Sequence, residues 1–248
     1  MVDEQIKNYR DRIYGSYNSA RTTPLAPTTL NDLRSRLPSL RRLVQDHVPA
    51  DRDSHILEIG CGHGALLYVL EQQGYRNLRG VDGSKEQVEA SKILGVKSVV
   101  EGDLLDALAA TPDGSCDVVI AFDVIEHFTK NELLHLIDDV RRVLKTGGRW
   151  IVHVPNAESP FGSRILYSDF THEVAFTRTS IDQLMRASGF SDVICVEDTP
   201  TPHGIKSLIR AVLWKLIRFM LLFFIAVETG SFDRSAIFSQ NFQAICIK

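Results

Sequence analysis

Short apolar runs alternate with amphipathic segments along most of the chain. The apolar runs are typical of buried strands, and the segments between them carry the three- and four-residue spacing of helices. The predicted strands are 55–59, 78–82, 98–101, 116–122, 149–154, 193–197 and 241–247, and the predicted helices are 64–73, 84–94, 104–110, 131–145 and 179–188. Gly147 and Gly148 predict a glycine cap at the end of the fourth helix. This alternation predicts an α/β fold, a doubly wound and mostly parallel seven-stranded sheet.

The residues before the first strand have a different pattern. Five leucines recur at helical steps, although Pro38 must kink or restart that helix; they are Leu30, Leu33, Leu37, Leu40 and Leu43. We expect a helical cap over 1–50 and one core domain over 51–248, because 248 residues are too few for two domains of ordinary size.

Composition narrows the class of protein. Hydrophobic residues make up 44% of the chain, and the net charge near −3 speaks against nucleic acid as a partner. The chain opens without a basic segment and an apolar core, so we expect a cytoplasmic protein. The four cysteines are scattered, which predicts free thiols in a reducing compartment; they are Cys61, Cys116, Cys195 and Cys246.

A glycine-rich turn follows the first strand. Gly60, Gly62 and Gly64 have the spacing Gly-x-Gly-x-Gly, and Glu58 stands at the end of the strand. Glycines allow a tight turn and a close approach of the backbone to a ligand. A pyrophosphate site has the spacing G-x-G-x-x-G instead, and Glu58 would repel an anion. The turn therefore favours a ligand with a cationic or amino-bearing portion.

Acidic residues also end the next three strands. Asp82, Asp103 and Asp123 follow the second, third and fourth strands. Ligands of an open parallel sheet bind outside the carboxyl ends of its strands, so these side chains are expected at one site. The alternative for any single one is a helix N-cap or a turn residue.

These motifs resemble the class I S-adenosylmethionine-dependent methyltransferases, whose first motif is (Asp/Glu)-x-Gly-x-Gly-x-Gly. The resemblance covers Ser54 to Phe190 and the final strand, and it implies a Rossmann-like fold with S-adenosylmethionine as cofactor. It places Glu58 and Asp123 at the methionine part, Asp82 at the ribose hydroxyls, and Asp103 with the Leu104 amide at the adenine. Gly60, Gly62 and Gly64 form the turn beside them.

The methyl acceptor is expected at a polar, aromatic-rich segment, 157–177. Its Asp169-Phe170-Thr171-His172 run is similar to Asp-x-Thr-His segments of bacterial methyltransferases associated with surface-sugar biosynthesis. His172 is the candidate base for a sugar hydroxyl, with Asp169 or Glu173 orienting its ring. In the alternative interpretation His172 pins the loop by hydrogen bonds. Thr177 or Thr179 is expected to cap the next helix.

Three further predictions concern histidines and metals. His127 is a second candidate base, although Glu126 and His127 fit better as the start of a helix that braces the loop. His63 is expected to face solvent. Asp169, His172 and Glu173 offer metal ligands, but no second histidine stands at ligand spacing, so no metal is expected.

A long insertion, 203–240, precedes the last strand. Its central part, 207–227, is amphipathic, with Lys206, Arg210, Lys215 and Arg218 within about half of the helix circumference. The uninterrupted apolar run, Phe219 to Val227, is far short of the ~20 residues that span a bilayer. The pattern is typical of a helix that lies in a membrane interface. The resemblance to bacterial methyltransferases whose insertions here accompany glycan and lipid-linked substrates favours this interpretation. The alternatives are a homodimer contact or a lid packed on the sheet edge.

Together these features predict an O-methyltransferase acting on a sugar hydroxyl of a surface glycan or its lipid-linked precursor. The expected place of action is the cytoplasm, at the inner face of the membrane if the helical insertion binds lipid. One alternative is a small hydrophobic acceptor such as a quinone precursor. Another is a non-catalytic cofactor-binding subunit that recruits partners through the insertion.

Overall fold

The fold is described here from a computed structural model, which describes residues 12–13 and 29–248. Much of the expected N-terminal cap therefore lies outside the described residues. Within the described part, helix α1 (Leu37–His47) carries Pro38 in its first turn, so the proline restarts the helix as one of the two alternatives predicted. Leu40, Leu43 and Val44 of this helix pack into the core beside the first strand.

The sheet has the predicted class and number of strands. Its order is β3-β2-β1-β4-β5-β7-β6, and β7 runs antiparallel to both of its neighbours. The strands are β1 (His55–Ile59), β2 (Asn77–Asp82), β3 (Val99–Glu101), β4 (Cys116–Phe122), β5 (Leu144–Pro155), β6 (Asp192–Glu197) and β7 (Asn241–Ile247). Buried apolar clusters lie on both faces of this sheet, as expected for a doubly wound fold.

Helices connect the parallel strands and cover the sheet. They are α2 (Ala65–Gln72), α3 (Lys85–Ile93), α4 (Leu104–Ala109), α5 (Lys130–Val143), α6 (Gly162–Leu166), α7 (Arg178–Ala187) and α8 (Ile205–Thr229), with a single 3₁₀ turn at Ile125–His127. Thr177 caps α7 by accepting a hydrogen bond from the Ser180 amide, as predicted. All four cysteines are free thiols, which confirms that expectation.

The predicted glycine cap of the fourth helix is wrong. Helix α5 ends at Val143, and the next residue, Leu144, is already extended. The backbone of Gly147 and Gly148 instead exchanges hydrogen bonds with Lys248, so the glycines belong to an irregular beginning of β5. Pairing with neighbouring chain segments thus overrides the local cap signal. Helix α5 begins at Lys130, next to the predicted start at 131, and Glu126 and His127 lie in the separate 3₁₀ turn that precedes it rather than at its beginning.

The insertion before β7 is helical, as predicted, and most of its long helix α8 is exposed. Ser207 and Leu222 are its buried residues. Twelve large apolar side chains of this helix are exposed, and together they are called the apolar face of α8. They are Ile205, Leu208, Ile209, Val212, Leu213, Leu216, Ile217, Phe219, Met220, Phe223, Phe224 and Val227. At about 100° per residue, they occupy one half of the helix circumference.

The cations of α8 are not all on one exposed side, which corrects the predicted basic face. Arg218 turns toward the domain, where its Nε lies 3.0 Å from Glu197 Oε2. Its Nη2 donates to the carbonyls of Arg234 and Ala236. Arg210 and Lys215 are exposed, and the helical period places them at the two margins of the apolar face. In the described part of the chain, no helix has the length and apolar character needed to cross a bilayer.

Candidate cofactor and acceptor site

The strand order reverses between β1 and β4, and a cavity opens there. Connections from β1 lead toward β3, and those from β4 lead toward β5, so no crossover covers the carboxyl ends at this point. The cavity has a volume of about 680 Å³. Seven of the eight predicted cofactor residues line it, namely Glu58, Gly60, Gly62, Asp82, Asp103, Leu104 and Asp123. The structure thus brings together residues from four successive strand ends.

The glycine turn has the backbone geometry that its sequence predicted. The φ angles of Gly60, Gly62 and Gly64 are +63°, +54° and +74°, in the left-handed region that favours glycine. A Cβ on Gly60 would lie 2.5 Å from Cγ2 of Val124, so the turn packs directly against the loop after β4. Gly64 does not line the cavity; it forms the N-cap of α2.

Glu58 is buried at the floor of the cavity. Burial, with a further contribution from the negative charge of Asp82, raises the pKa of its carboxyl to about 8. Among the described residues, Oε2 of Glu58 has no hydrogen-bond partner. A buried polar atom without a partner is uncommon in native proteins, and this one faces the space in which a ligand would lie. The position suits a ligand ammonium group, which fits the amino-acid end of S-adenosylmethionine.

Asp82 and Asp103 have structural roles as well as a place in the cavity. Asp82 accepts hydrogen bonds from the Gly62 amide at 2.7 Å and from the Ser84 amide at 2.8 Å, which ties the glycine turn to the end of β2. Asp103 caps α4 by accepting from the amides of Leu105 and Asp106. The alternative interpretation, a turn or cap residue, therefore holds for both. Each carboxylate also lines the cavity.

Asp123 is held in an uncommon backbone conformation. Its φ is +56°, and among the described residues it is the one non-glycine with positive φ. Its Oδ1 lies 2.6 Å from Nδ1 of buried His153, whose Nε2 lies 3.6 Å from Asp198. Burial alone would lower the pKa of His153, but the two carboxylates raise it to about 10. A protonated His153 thus holds Asp123 ionised at the cavity wall, as strained residues at functional sites commonly are held.

Three residues of this cavity differ from the sequence analysis. His63 is buried, and its Nδ1 lies 3.2 Å from Gln87 Oε1, so the prediction that it faces solvent is wrong. Burial, followed by the charge of Arg36, lowers the pKa of His63 to about 4. Arg36 and Gln87 also line the cavity. They were missed because neither stands at a strand end, and only the folded chain brings them there.

Among the predicted acceptor residues, His172 and Asp169 are not part of the cavity lining, whereas His127 is. His127 lines the cavity, and its ring lies 4.7 Å from the ring of His172, centroid to centroid. Nδ1 of His172 donates to the Leu166 carbonyl at 2.9 Å, a hydrogen bond of the kind expected if His172 pins the loop. Asp169 acts elsewhere, because it accepts the hydroxyl proton of Thr171, which in turn contacts Nδ1 of His127.

Comparison with known proteins decides the family. A family model described as a methyltransferase domain matches residues 32–195, well over half of the chain. The chain belongs to the methyltransferase domain family. The expected methyltransferase family is thereby confirmed, and the matched residues contain the glycine turn, the strand-end acids and the acceptor segment.

Relatives of this methyltransferase domain are similar to it over only part of their length. An uncharacterised methyltransferase of Schizosaccharomyces pombe is 31% identical over 121 residues, which cover 47% of this chain and 46% of the relative. A ubiquinone biosynthesis O-methyltransferase of Xylella fastidiosa is 24% identical over 62% of this chain and 63% of its own. The chain thus spans less than two thirds of either relative.

The fold of the methyltransferase domain is shared with solved structures. An S-adenosylmethionine-dependent methyltransferase from Archaeoglobus fulgidus superimposes with a TM-score of 0.63 at 19% identity, over 88% of this chain and 98% of its own. This likeness confirms the predicted doubly wound sheet. At 19% identity the likeness concerns the fold alone.

Proposed function

We propose that the chain is an active O-methyltransferase that takes its methyl group from S-adenosylmethionine and acts on a hydroxyl of a lipid-linked acceptor. Our first candidate for that acceptor is a sugar of a surface-glycan precursor, held at the inner face of the cytoplasmic membrane. The observation that carries the lipid-linked acceptor is the exposed apolar face of α8 on the same domain as the cavity.

The cavity supports the cofactor. Glu58 offers a buried carboxylate oxygen without a protein partner, and Gly60 has no room for a side chain. Asp82 and Asp103 line the same space with carboxylates that accept hydroxyl or amino protons. When bound there, S-adenosylmethionine supplies an electrophilic methyl group on a sulfonium. The protein's part is to bind and orient it and to hold the acceptor oxygen in line with that methyl, which supplies most of the rate in such displacements.

The acceptor side is built from the 3₁₀ turn after β4 and segment 157–177. We place the acceptor hydroxyl beside His127 and His172, because their rings are in contact and His127 reaches the cavity. Asp169 positions Thr171, which contacts His127. His172 is the candidate for receiving the hydroxyl proton.

The apolar face of α8 supports a lipid surface as the place of the reaction. An exposed apolar half-cylinder with cations at its margins is typical of helices that lie in a membrane interface. Arg210 and Lys215 occupy those margins, where they reach anionic headgroups while the apolar side chains enter the acyl boundary. Arg218 fixes this helix to the domain through Glu197. The competing interpretation is a homodimer that buries the same face. Sedimentation with anionic vesicles distinguishes lipid binding from dimerisation.

A second acceptor class is a small hydrophobic molecule such as a quinone precursor. Similarity to the Xylella fastidiosa ubiquinone biosynthesis O-methyltransferase favours it, and such a molecule also partitions into lipid. The non-catalytic alternative is less favoured, because a subunit that only recruits partners has no need of the buried, partnerless Glu58 oxygen.

The acceptor class is tested by incubating the protein with methyl-labelled S-adenosylmethionine and fractionated bacterial extracts. We expect the label in the lipid-linked glycan fraction. Label in a small apolar phenol would establish the second candidate, and label in no fraction would contradict enzymatic activity.

The membrane contact is tested by sedimentation with anionic vesicles. Each cation near such a surface contributes about 1 kcal/mol, so an Arg210→Glu, Lys215→Glu variant should bind at least about tenfold more weakly, and salt should weaken the wild type. The matched control is Arg41→Glu, Lys92→Glu, which reverses two exposed cations on other helices. Equal binding of all three proteins, or a wild type that dimerises and ignores vesicles, would contradict the proposal.

A further inference from the structure

Three potential metal ligands from two segments that are distant in sequence meet beside the cavity. Glu126 and His127 belong to the 3₁₀ turn after β4, and His172 belongs to the acceptor segment. One ligand atom from each residue lies within 4.8 Å of the others. Sequence spacing did not reveal this set, because the second histidine comes from a different part of the chain.

Glu126 gives independent evidence that a ligand is missing from this cluster. Its side chain is completely buried, and among the described residues neither carboxylate oxygen has a hydrogen-bond partner. Burying a carboxylate without a partner is costly unless a cation or donor compensates it. Among the described residues no side chain forms a hydrogen bond with either oxygen, whereas a bound cation would compensate both.

Both histidine rings are oriented as metal-binding imidazoles are. Nδ1 of His172 donates to the Leu166 carbonyl, which only accepts, so the lone pair of this ring is on Nε2. The Thr171 hydroxyl gives its proton to Asp169 and therefore accepts from Nδ1 of His127. The lone pair of His127 is then also on Nε2. Such hydrogen bonds to the outer ring nitrogen are how proteins fix the tautomer of a ligating histidine.

We propose that Glu126, His127 and His172 form a binding site for a divalent transition-metal ion of the zinc class. Two imidazoles and one carboxylate are a donor set that such ions prefer, and it leaves positions for an exogenous oxygen. Two bonds of about 2.1 Å span at most about 4.2 Å, so the side chains draw together on binding. The site lies at the cavity through His127.

For the reaction, the inference rests on the proposed function and specifies how the acceptor is held. The acceptor hydroxyl binds the ion through its oxygen, which makes the hydroxyl more acidic. The oxygen loses its proton to solvent and bonds to the methyl carbon, while the carbon–sulfur bond breaks and its electron pair stays on sulfur. His172 is then a ligand that positions the acceptor, and solvent replaces it as the group that receives the hydroxyl proton.

Metal binding is tested on the purified full chain with Co²⁺, which has a visible spectrum, and with Zn²⁺ by calorimetry. We expect one equivalent of either ion to bind to the wild type. His172→Ala should weaken binding at least about tenfold. The matched control is His135→Ala, because His135 is an exposed histidine on α5. Equal affinities of the wild type and His172→Ala would overturn the site.

A second variant protects the test against misfolding. Glu126→Gln keeps the shape of the side chain and removes its charge, so it should also weaken metal binding while the protein stays folded by circular dichroism. Unchanged binding in Glu126→Gln would again overturn the site.

Chelation separates this inference from the proposed function. It should abolish labelling of the acceptor and leave S-adenosylhomocysteine binding unchanged. Methyl transfer by a protein that binds no metal would leave the proposed function standing and refute the metal site. Metal binding without methyl transfer to any fraction would support the metal site and refute the proposed function.

Discussion

The pH dependence of cofactor binding should be controlled by Glu58. Its pKa of about 8 means that most molecules carry a neutral carboxyl at pH 7, whereas a ligand ammonium binds the ionised form. If only that form binds, the apparent dissociation constant is the intrinsic one multiplied by the ratio of total protein to protein with an ionised Glu58. This ratio is about 100 at pH 6 and about 11 at pH 7, so affinity should rise about ninefold between them.

Calorimetry with S-adenosylhomocysteine at pH 6 and pH 7 measures this effect. Both values lie below the range of about 7.7–8.0 in which α-amino groups lose their proton, so the ligand keeps its charge. Glu58→Gln cannot ionise, and it should bind with little dependence on pH. Glu89→Gln, an exposed carboxyl on α3, should behave as the wild type does. A wild-type affinity that is equal at the two pH values, or a ninefold rise that persists in Glu58→Gln, would refute the reasoning.

The same shift has a consequence for stability without ligand. Because the pKa of Glu58 in the folded protein lies above its ordinary value of 4.5, its contribution to stability is fully present below pH 4.5 and is lost as the pH rises through about 8. At about 1.4 kcal/mol per pKa unit, the loss amounts to about 5 kcal/mol. Thermal melts at pH 5 and pH 9 should therefore show a smaller decrease in Tm for Glu58→Gln than for the wild type.

Two further predictions concern Asp82 and the attachment of α8. Asp82→Ala should weaken S-adenosylhomocysteine binding more than tenfold by calorimetry, because the ribose contact and the support of the glycine turn are both lost. The control variant Asp106→Ala should bind as the wild type does. An affinity of Asp82→Ala within twofold of the wild type would rule out the ribose assignment. Arg218→Met should lower the free energy of unfolding by about 1–3 kcal/mol, because Glu197 loses its partner in a partly buried place. In denaturant titrations, the double variant Arg218→Met, Glu197→Gln should lose less free energy of unfolding than the two single variants lose together. Strict additivity would show that the pair does not interact.

The sequence predicted the sheet and the cofactor cavity because both depend on local signals. Strands and helices follow from hydrophobic periodicity, and a parallel sheet brings the carboxyl ends of its strands to one edge. Glu58, Asp82 and Asp123 each stand at such an end, so their meeting in one cavity required no knowledge of long-range contacts. The beginning of β5 was predicted wrongly because it depends on a contact distant in sequence, the hydrogen bond between Gly148 and Lys248.

The acceptor side was less predictable because it depends on contacts between segments distant in sequence. His172 was assigned a carboxylate neighbour from its own segment, but only the structure shows that its ring contacts the ring of His127 from the turn after β4. His63 was expected at the surface, but it is buried, and its ring contacts Gln87 from α3. The sequence predicted that the insertion is helical, but only the structure shows that Arg218 of α8 is directed toward Glu197.

The most direct test of the central claim is the chemical identity of the methylated product. The wild-type protein would be incubated with isolated bacterial membranes and methyl-labelled S-adenosylmethionine, and the lipid extract would be analysed for the labelled linkage by mass spectrometry. The account predicts one labelled methyl ether on a hydroxyl oxygen of a lipid-linked molecule, and its loss with Asp82→Ala. Label on nitrogen or carbon, label confined to water-soluble molecules, or no label at all would contradict it.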